Sequence, residues 1–361
     1  MKVVTIKYKK GYECAILFSI FTTIFYTLQG SKLYSGSLKI LLLIAAVMAV
    51  FAITKKTRKK ITQQALLLTV FVALVSISII NTQDSRVLIA LLAVGIGFTY
   101  ELKEIMMTVF ITKLGTFLAV MLAGGYSHIN GVALQSGVLI LLYITIMEEF
   151  GKIDIFGLIG CVLAYAIFSF YTKSGSLIIC GGFVILALLL KNQKFARRFL
   201  LSKIFGFTFL ILLSVNVICA NLFYKKNSLV VSKILNILDV FVTHRIELAS
   251  YSLKHFGVSW LGGNVEYDLQ GFSGGSYFNL DSGYMWLLQG GGMLLTIVFI
   301  LGTIVMLTYF LKKEKYSMIV VSIAIALWAM NEDILLSIGT NFLLYYIGAA
   351  LKNHESRKVK V

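Results

Sequence analysis

Apolar runs of membrane-crossing length follow one another along almost the whole chain, separated by short polar intervals. A transmembrane helix needs about 20 apolar residues, with a range of roughly 17–25. On that measure the pattern predicts spans near 12–28, 36–54, 63–80, 86–100, 105–123, 132–147, 155–172, 176–190 and 203–222, then 284–310, 317–330 and 334–351. That makes about twelve, of which 86–100, 176–190 and 317–330 are the shortest against the required length. The expected fold class is therefore all-α: a polytopic integral membrane protein, one transmembrane domain over 1–361. The one long polar interval runs from Asn221 to Tyr284, and its loop, 223–283, lies between the ninth and tenth spans.

That loop has its own periodicity. Ser228 is placed to cap a helix on which Val231, Ile234, Leu235, Leu238 and Phe241 recur at helical spacing. A second helix is expected from Arg245 to Phe256, with Ile246, Ala249 and Leu253 on one face. Amphipathic helices of this kind lie on the membrane surface or against the bundle. Gly262-Gly263 and the stretch from Gly271 to Gly275 supply turns. No internal repeat, low-complexity tract or soluble domain is visible.

Composition makes the membrane reading firm. The hydrophobic fraction is 58%, against roughly 45–50% in an ordinary soluble domain, and the mean hydropathy is +0.89. A water-soluble fold has no place to hide that much apolar surface. No separate leader and cleavage site stands before the first apolar run, which is read as a retained span. The formal charge of +17 raises nucleic acid as a partner, but the placement of the charges decides against it. Lys7, Lys9 and Lys10, the group from Lys55 to Lys60, Lys191 to Lys203, Lys312 to Lys315 and Lys352 to Lys360 all fall on one side of a twelve-span chain. The positive-inside rule makes that side the cytoplasm, with both termini there and the long loop outside. Trp260, Trp286 and Trp328 come out near the outer interface, where indole rings tend to sit.

Cys14, Cys161, Cys180 and Cys219 stand singly in apolar stretches, with no metal or redox spacing, and read as small core residues. There is no proline, so helix breaks fall to glycine or polar residues. Transporters often break helices with Gly or Pro at the substrate site, and the absence of proline counts against that class.

Candidate chemistry gathers at the outer edge. His244, Arg245 and Glu247 collect an imidazole, a guanidinium and a carboxylate within four residues of the loop. Arginine binds phosphate or carboxylate through a planar fork of donors, although a loop arginine also serves as a solvated helix-end charge. Asp281 lies at the edge of the tenth span, where a carboxylate can accept a proton from a sugar hydroxyl; alternatively Asp281 or Ser282 caps the helix. The turn Thr172-Lys173-Ser174-Gly175-Ser176 offers amides and hydroxyls at a helix start, an anion site or a plain cap. Arg86, beside Asp84, either reaches a lipid phosphate or snorkels to the interface. His128 has the same two readings. Asn331-Glu332-Asp333 sets two acids in a short outer turn; acids near the membrane are functional by default, or these equally face water and do nothing. No DxD pair and no glycine-rich phosphate loop is present, which argues against a nucleotide-activated donor from the cytoplasm.

The order Thr243-His244-Arg245-Ile246-Glu247-Leu248, then Tyr251-Ser252-Leu253, Phe256-Gly257-Val258 and Leu261-Gly262 resembles the large outer loop of Wzy-type polysaccharide polymerases. Asp281-Ser282-Gly283-Tyr284 followed by Leu287-Leu288 and Gly290 is similar to the motif that closes that loop, and the Thr172 to Ser176 turn is similar to the family's serine-rich turn. Ser282 stands where the family commonly has asparagine, and Lys173-Ser174-Gly175 replaces its usual Ser-Arg. Related O-antigen ligases carry His-Asn where this chain has Asp281-Ser282, which weakens a ligase reading.

The resemblance implies an inverting, metal-independent glycosyltransferase in the cytoplasmic membrane, with no cofactor. It would build capsular or exopolysaccharide by moving a growing glycan from undecaprenyl diphosphate onto a lipid-linked repeat unit. It implies Arg245 at the leaving diphosphate and Asp281 as base, with Glu247 and His244 in reserve. Arg86, Lys173, Ser174 and Tyr284 are the implied substrate contacts; Lys225, Lys226 and Lys254 either attract anionic lipid carriers or, as the favoured reading, are ordinary surface. A flippase and a chain-length regulator are the implied protein partners; membrane lipid surrounds it, and no nucleic acid is involved. The competing expectation is a flippase of lipid-linked oligosaccharide, which would want charge inside the bundle, whereas the charges here lie mostly at the membrane edges.

Overall fold

The computed structural model describes residues 11–57, 84–151, 155–225, 229–241, 244–263, 265 and 280–358. The expected span at 63–80, the Ser228 cap and the turns from Gly271 to Gly275 lie outside them. The regular elements among the described residues are all helices, and the β-pairing among them is the isolated bridge between Ser31 and Tyr126.

The helices are α1 (Glu13–Leu28), α2 (Lys39–Thr57), α3 (Arg86–Thr99), α4 (Leu102–Leu122), α5 (Ile129–Phe150), α6 (Ile155–Thr172) and α7 (Gly175–Leu189). A short α8 (Lys194–Leu200) leads to α9 (Thr208–Lys225) and the loop helices α10 (Leu229–Phe241) and α11 (Arg245–Phe256). Then come α12 (Gly283–Gln289), α13 (Gly292–Lys312), α14 (Tyr316–Trp328) and α15 (Leu343–Lys358). Six stretches are long and apolar enough to cross a membrane: Gly36–Lys55, Leu102–Leu122, Ile129–Phe150, Gly175–Asn192, Lys194–Phe223 and Gly292–Lys312. Glu13–Leu28, Arg86–Thr99, Phe156–Thr172 and Tyr316–Trp328 are apolar but shorter.

Two expected spans are not continuous helices. The run 284–310 divides at Gly290-Gly291 into α12 and α13, because the loop backbone at 259–263 packs there: Gly263 N–H donates to the Gly290 carbonyl (3.2 Å) and Met293 N–H to the Ser259 carbonyl (2.9 Å). The run 334–351 is unwound as far as Phe342, and only its second half is helix. Ser337-Ile338-Gly339-Thr340-Asn341 explains this, since such side chains offer the backbone other partners. Asn341 Nδ2 donates to the Leu335 carbonyl (2.7 Å), and Thr340 Oγ1 to the Ser337 carbonyl (3.0 Å). Irregular backbone at this depth is tolerated only where protein surrounds it, and residues 334–347 are buried throughout.

The core centres on α14 and this unwound segment, with α14 buried along almost its entire length. The α3 and α15 axes cross at two glycines, where a Cβ on Gly97 would meet the Tyr345 carbonyl oxygen and one on Gly348 the Val94 carbonyl oxygen. Small residues at such a crossing let two backbones touch, the usual device where lipid removes any hydrophobic drive to associate. The outer helices present bare apolar surface instead: Leu43, Phe51, Phe156 and Phe170 are exposed, as lipid-facing residues are. Trp286 and Trp328 are buried within the bundle, whereas Trp260 is exposed.

Candidate functional site

The turn after α14 is the meeting point of the ionised groups. Gly283 N–H donates to the Ala329 carbonyl (2.9 Å), and Tyr284 Oη to the Ala326 carbonyl (3.0 Å). These bonds lash the start of α12 to the end of α14 and carry Asp281 to the Asn331-Glu332-Asp333 turn. Ser282 is the α12 cap, its Oγ accepting from Met285 N–H. Capping therefore falls to Ser282 and leaves Asp281 for another partner.

That partner is Arg245, the first residue of α11. Its Nη2 donates to Asp281 Oδ2 at 3.0 Å and lies 3.6 Å from Glu332 Oε1. A second arginine closes the other side: Arg86 Nη1 donates to Asp333 Oδ2 at 2.6 Å and Nε to Asp84 Oδ2 at 2.7 Å. Its guanidinium carbon lies 4.4 Å from the Trp286 ring centre, within cation–π range. Arg86 is thus paired and stacked, and it does not snorkel. Two guanidiniums meet four carboxyls here, and every one of the six side chains is at most 28% exposed.

The electrostatics follow from crowding and partial burial. Burial pushes Glu332 up to about 7, with Arg245 opposing and the neighbouring Asp281 and Asp333 adding to the rise. Burial raises Asp281 against the pull of Arg245, and raises Asp333 against Arg86. A group held near neutrality beside a guanidinium can take or give a proton at working pH. A cavity of about 60 Å³ opens beside Arg245, between α9, α11 and Met330-Asn331.

His244 and Glu247 serve a different arrangement. Asp239, near the end of α10, is buried and accepts Ile246 N–H (2.8 Å) and Glu247 N–H (2.9 Å) at one oxygen, capping α11. Its other oxygen lies 3.0 Å from His244 Nδ1, and Glu247 Oε2 lies 3.7 Å from that nitrogen. The cluster sets the angle of the α10–α11 corner, which delivers Arg245. Asp239 was hidden in the sequence as one polar position of an amphipathic helix.

Tyr284 is corrected outright. It is fully buried, with its hydroxyl satisfied by the Ala326 carbonyl, and it has no surface to offer a substrate. Lys173 is exposed at the α6–α7 turn with φ 51°, and Ser174 caps α7 by accepting from Leu177 N–H; among the described residues no contact joins them to the Arg245 group. His128 is exposed at the start of α5. Lys225 and Lys226 lie where side chains are not described.

Sequence reasoning set Glu332 and Asp333 aside as an unusual pair without giving them a role, and it missed Lys113 altogether. Lys113 stands in mid-span on α4 and is fully buried, so ionisable side chains are not confined to the membrane edges. The signal was a lone lysine inside an apolar run. A larger cavity, about 560 Å³, lies elsewhere, between α4, α5 and α6, and its lining is apolar or uncharged (Phe110, Phe117, Leu139, Tyr143, Phe168 among them). No family model matches the chain, and no curated protein and no solved structure is similar to it.

Proposed function

We propose that the protein is a Wzy-type polysaccharide polymerase, transferring a growing glycan from undecaprenyl diphosphate to the acceptor hydroxyl of a lipid-linked repeat unit. The observation that carries this reading is the pairing of the loop arginine, Arg245, with Asp281 of the loop-closing motif and with Glu332, beside a second arginine, Arg86. An incoming diphosphate displaces carboxylates from the two guanidiniums, whose forked donors suit its oxygens. The acceptor oxygen attacks the anomeric carbon, the bond from that carbon to the diphosphate oxygen breaks, and the leaving diphosphate's charge is taken by the arginines. Glu332, in its ionised form and poised at about 7, accepts the proton of the attacking hydroxyl. Asp281 orients Arg245. In this reading the Arg245 end of the bundle faces away from the cytoplasm. The cavity beside Arg245, about 60 Å³, has room for no more than a water or two, so substrate entry widens the gap between α9 and α11.

The test is mass spectrometry of undecaprenyl-linked glycans in a strain lacking the gene, complemented with the wild type or with Arg245→Ala. Single repeat units should accumulate on the outer leaflet in the null strain and with Arg245→Ala, and long chains should return with the wild type. Repeat units retained on the inner leaflet would identify a flippase instead.

A further inference from the structure

We propose that Lys113 is a buried clamp that holds the unwound segment between α14 and α15 in the shape that presents Glu332 and Asp333 to the two arginines. An ammonium has three N–H donors, and Lys113 Nζ meets three neutral acceptors. These are Gln135 Oε1 on α5, the Gly339 carbonyl at 2.8 Å, and Thr27 Oγ1 on α1 at 3.5 Å. Among the described residues it has no carboxylate partner. An ionisable group buried in a membrane protein without a counter-ion is expensive and is kept where it does something. Here it satisfies a carbonyl that leaving the helix has exposed, at a position closed to bulk solvent.

The surroundings are built around that contact. Gln135 Nε2 donates to the Tyr26 carbonyl (3.3 Å) and Tyr126 Oη to the Thr27 carbonyl (2.8 Å), which fixes the end of α1 against Lys113. A Cβ on Gly339 would collide with Tyr26 Cβ, so only glycine lets the segment approach close enough. The segment is then tied at three points. Gly283 N–H holds Ala329, Arg86 holds Asp333, and Lys113 holds Gly339, while Asn341 folds the intervening chain back onto Leu335. Remove the third tie and the acidic turn is anchored from one side only. Lys113 is a positioning residue, remote from the reacting atoms.

The effect on chemistry rests on the polymerase reading; the clamp itself does not. The test is amide hydrogen exchange by mass spectrometry on the full-length protein in detergent, comparing wild type with Lys113→Met, which keeps the stem and removes the donors. Peptides covering 331–342 should exchange at least about tenfold faster, the scale of losing one charged hydrogen bond, while α14 peptides stay unchanged. Glu332 faces Arg245, Asp281 and Asp333, with Arg86 and Asp84 beyond; loosening its turn lets water in, so the acidic limb of the polymerisation pH profile should move toward ordinary carboxylate values. Should Lys113→Met fail to fold, Gln135→Leu removes one acceptor and should give a smaller rise confined to the same peptides. Unchanged exchange at 331–342, or a rise spread evenly along the chain, overturns the clamp. A local rise in a protein that proves to have no role in glycan polymerisation upholds the clamp and sinks only the proposed function.

Discussion

Ion pairs stand at both ends of α14, and the two groups are built differently. Before its first residue, Lys315 meets Glu149 at 2.7 Å, Lys191 lies 3.6 Å from Glu148, and Arg197 meets Glu314 at 2.8 Å. Cations and anions are matched one to one there, and the Arg197–Glu314 pair is more than half exposed on both sides. After its last residue, two arginines serve four carboxyls, and Arg245 is 14% exposed. Exposed pairs are worth little, because water already solvates each partner. Half-buried pairs cost solvation that their attraction barely repays, and crowding carboxyls around them adds repulsion. The first group reads as a seam that orders neighbouring helix ends. The second is an arrangement that stability alone does not favour.

Breaking the second group should therefore do what breaking the first does not. The largest effect is expected for Arg245→Ala, a loss of roughly 100-fold or more in polymerisation, the scale of losing one preorganised charge at a developing anion, read as glycan chain length per unit of protein. Arg86→Ala follows: it removes the guanidinium from Asp84 and Asp333 and uncovers Trp286, and should lower stability by about 2 kcal/mol after discounting for partial exposure, measured as a shift in thermal unfolding in detergent. Arg86→Lys should recover little of this, since one ammonium cannot span both carboxylates.

Glu332→Gln sharpens the contrast by pH. The Glu332 carboxyl in the folded protein sits above its ordinary value of 4.5, at about 7. The folded state therefore binds more protons than the unfolded state across that interval, and stability falls as pH rises through it. The wild type should melt lower near pH 7 than near 4.5, and Glu332→Gln should flatten that slope. A slope equally steep in the variant would assign the titration to Asp281 or Asp333, which burial raises in the same direction. The smallest effect is expected for Arg197→Ala at the other end, less than about 1 kcal/mol, and smaller still in high salt.

Within the described residues, most helices were legible because each is an apolar run bounded by polar residues, and hydropathy reads such runs directly. Arg245 heading a loop helix was equally legible. What failed to show was the interruption at 329–342. A hydropathy sum over 334–351 does not distinguish a helix from an unwound stretch containing Ser337, Gly339, Thr340 and Asn341, since all are small and weakly polar. For the same reason one lysine, Lys113, disappeared into the average of its span. Tyr284 was misplaced because a motif position says nothing about which way a side chain packs.

Local order and membrane residence were thus determined by the sequence alone, because both depend on residues near one another in the chain and on how many of them are apolar. The meeting of Arg86, Asp281, Arg245 and Glu332 was decided by the tertiary structure. These residues lie far apart in sequence, and their contact depends on where the α10–α11 corner turns, how α12 is lashed to α14, and where Lys113 holds Gly339. The shift of Glu332 toward neutrality comes from the same source, since burial and crowding exist only after the chain has folded.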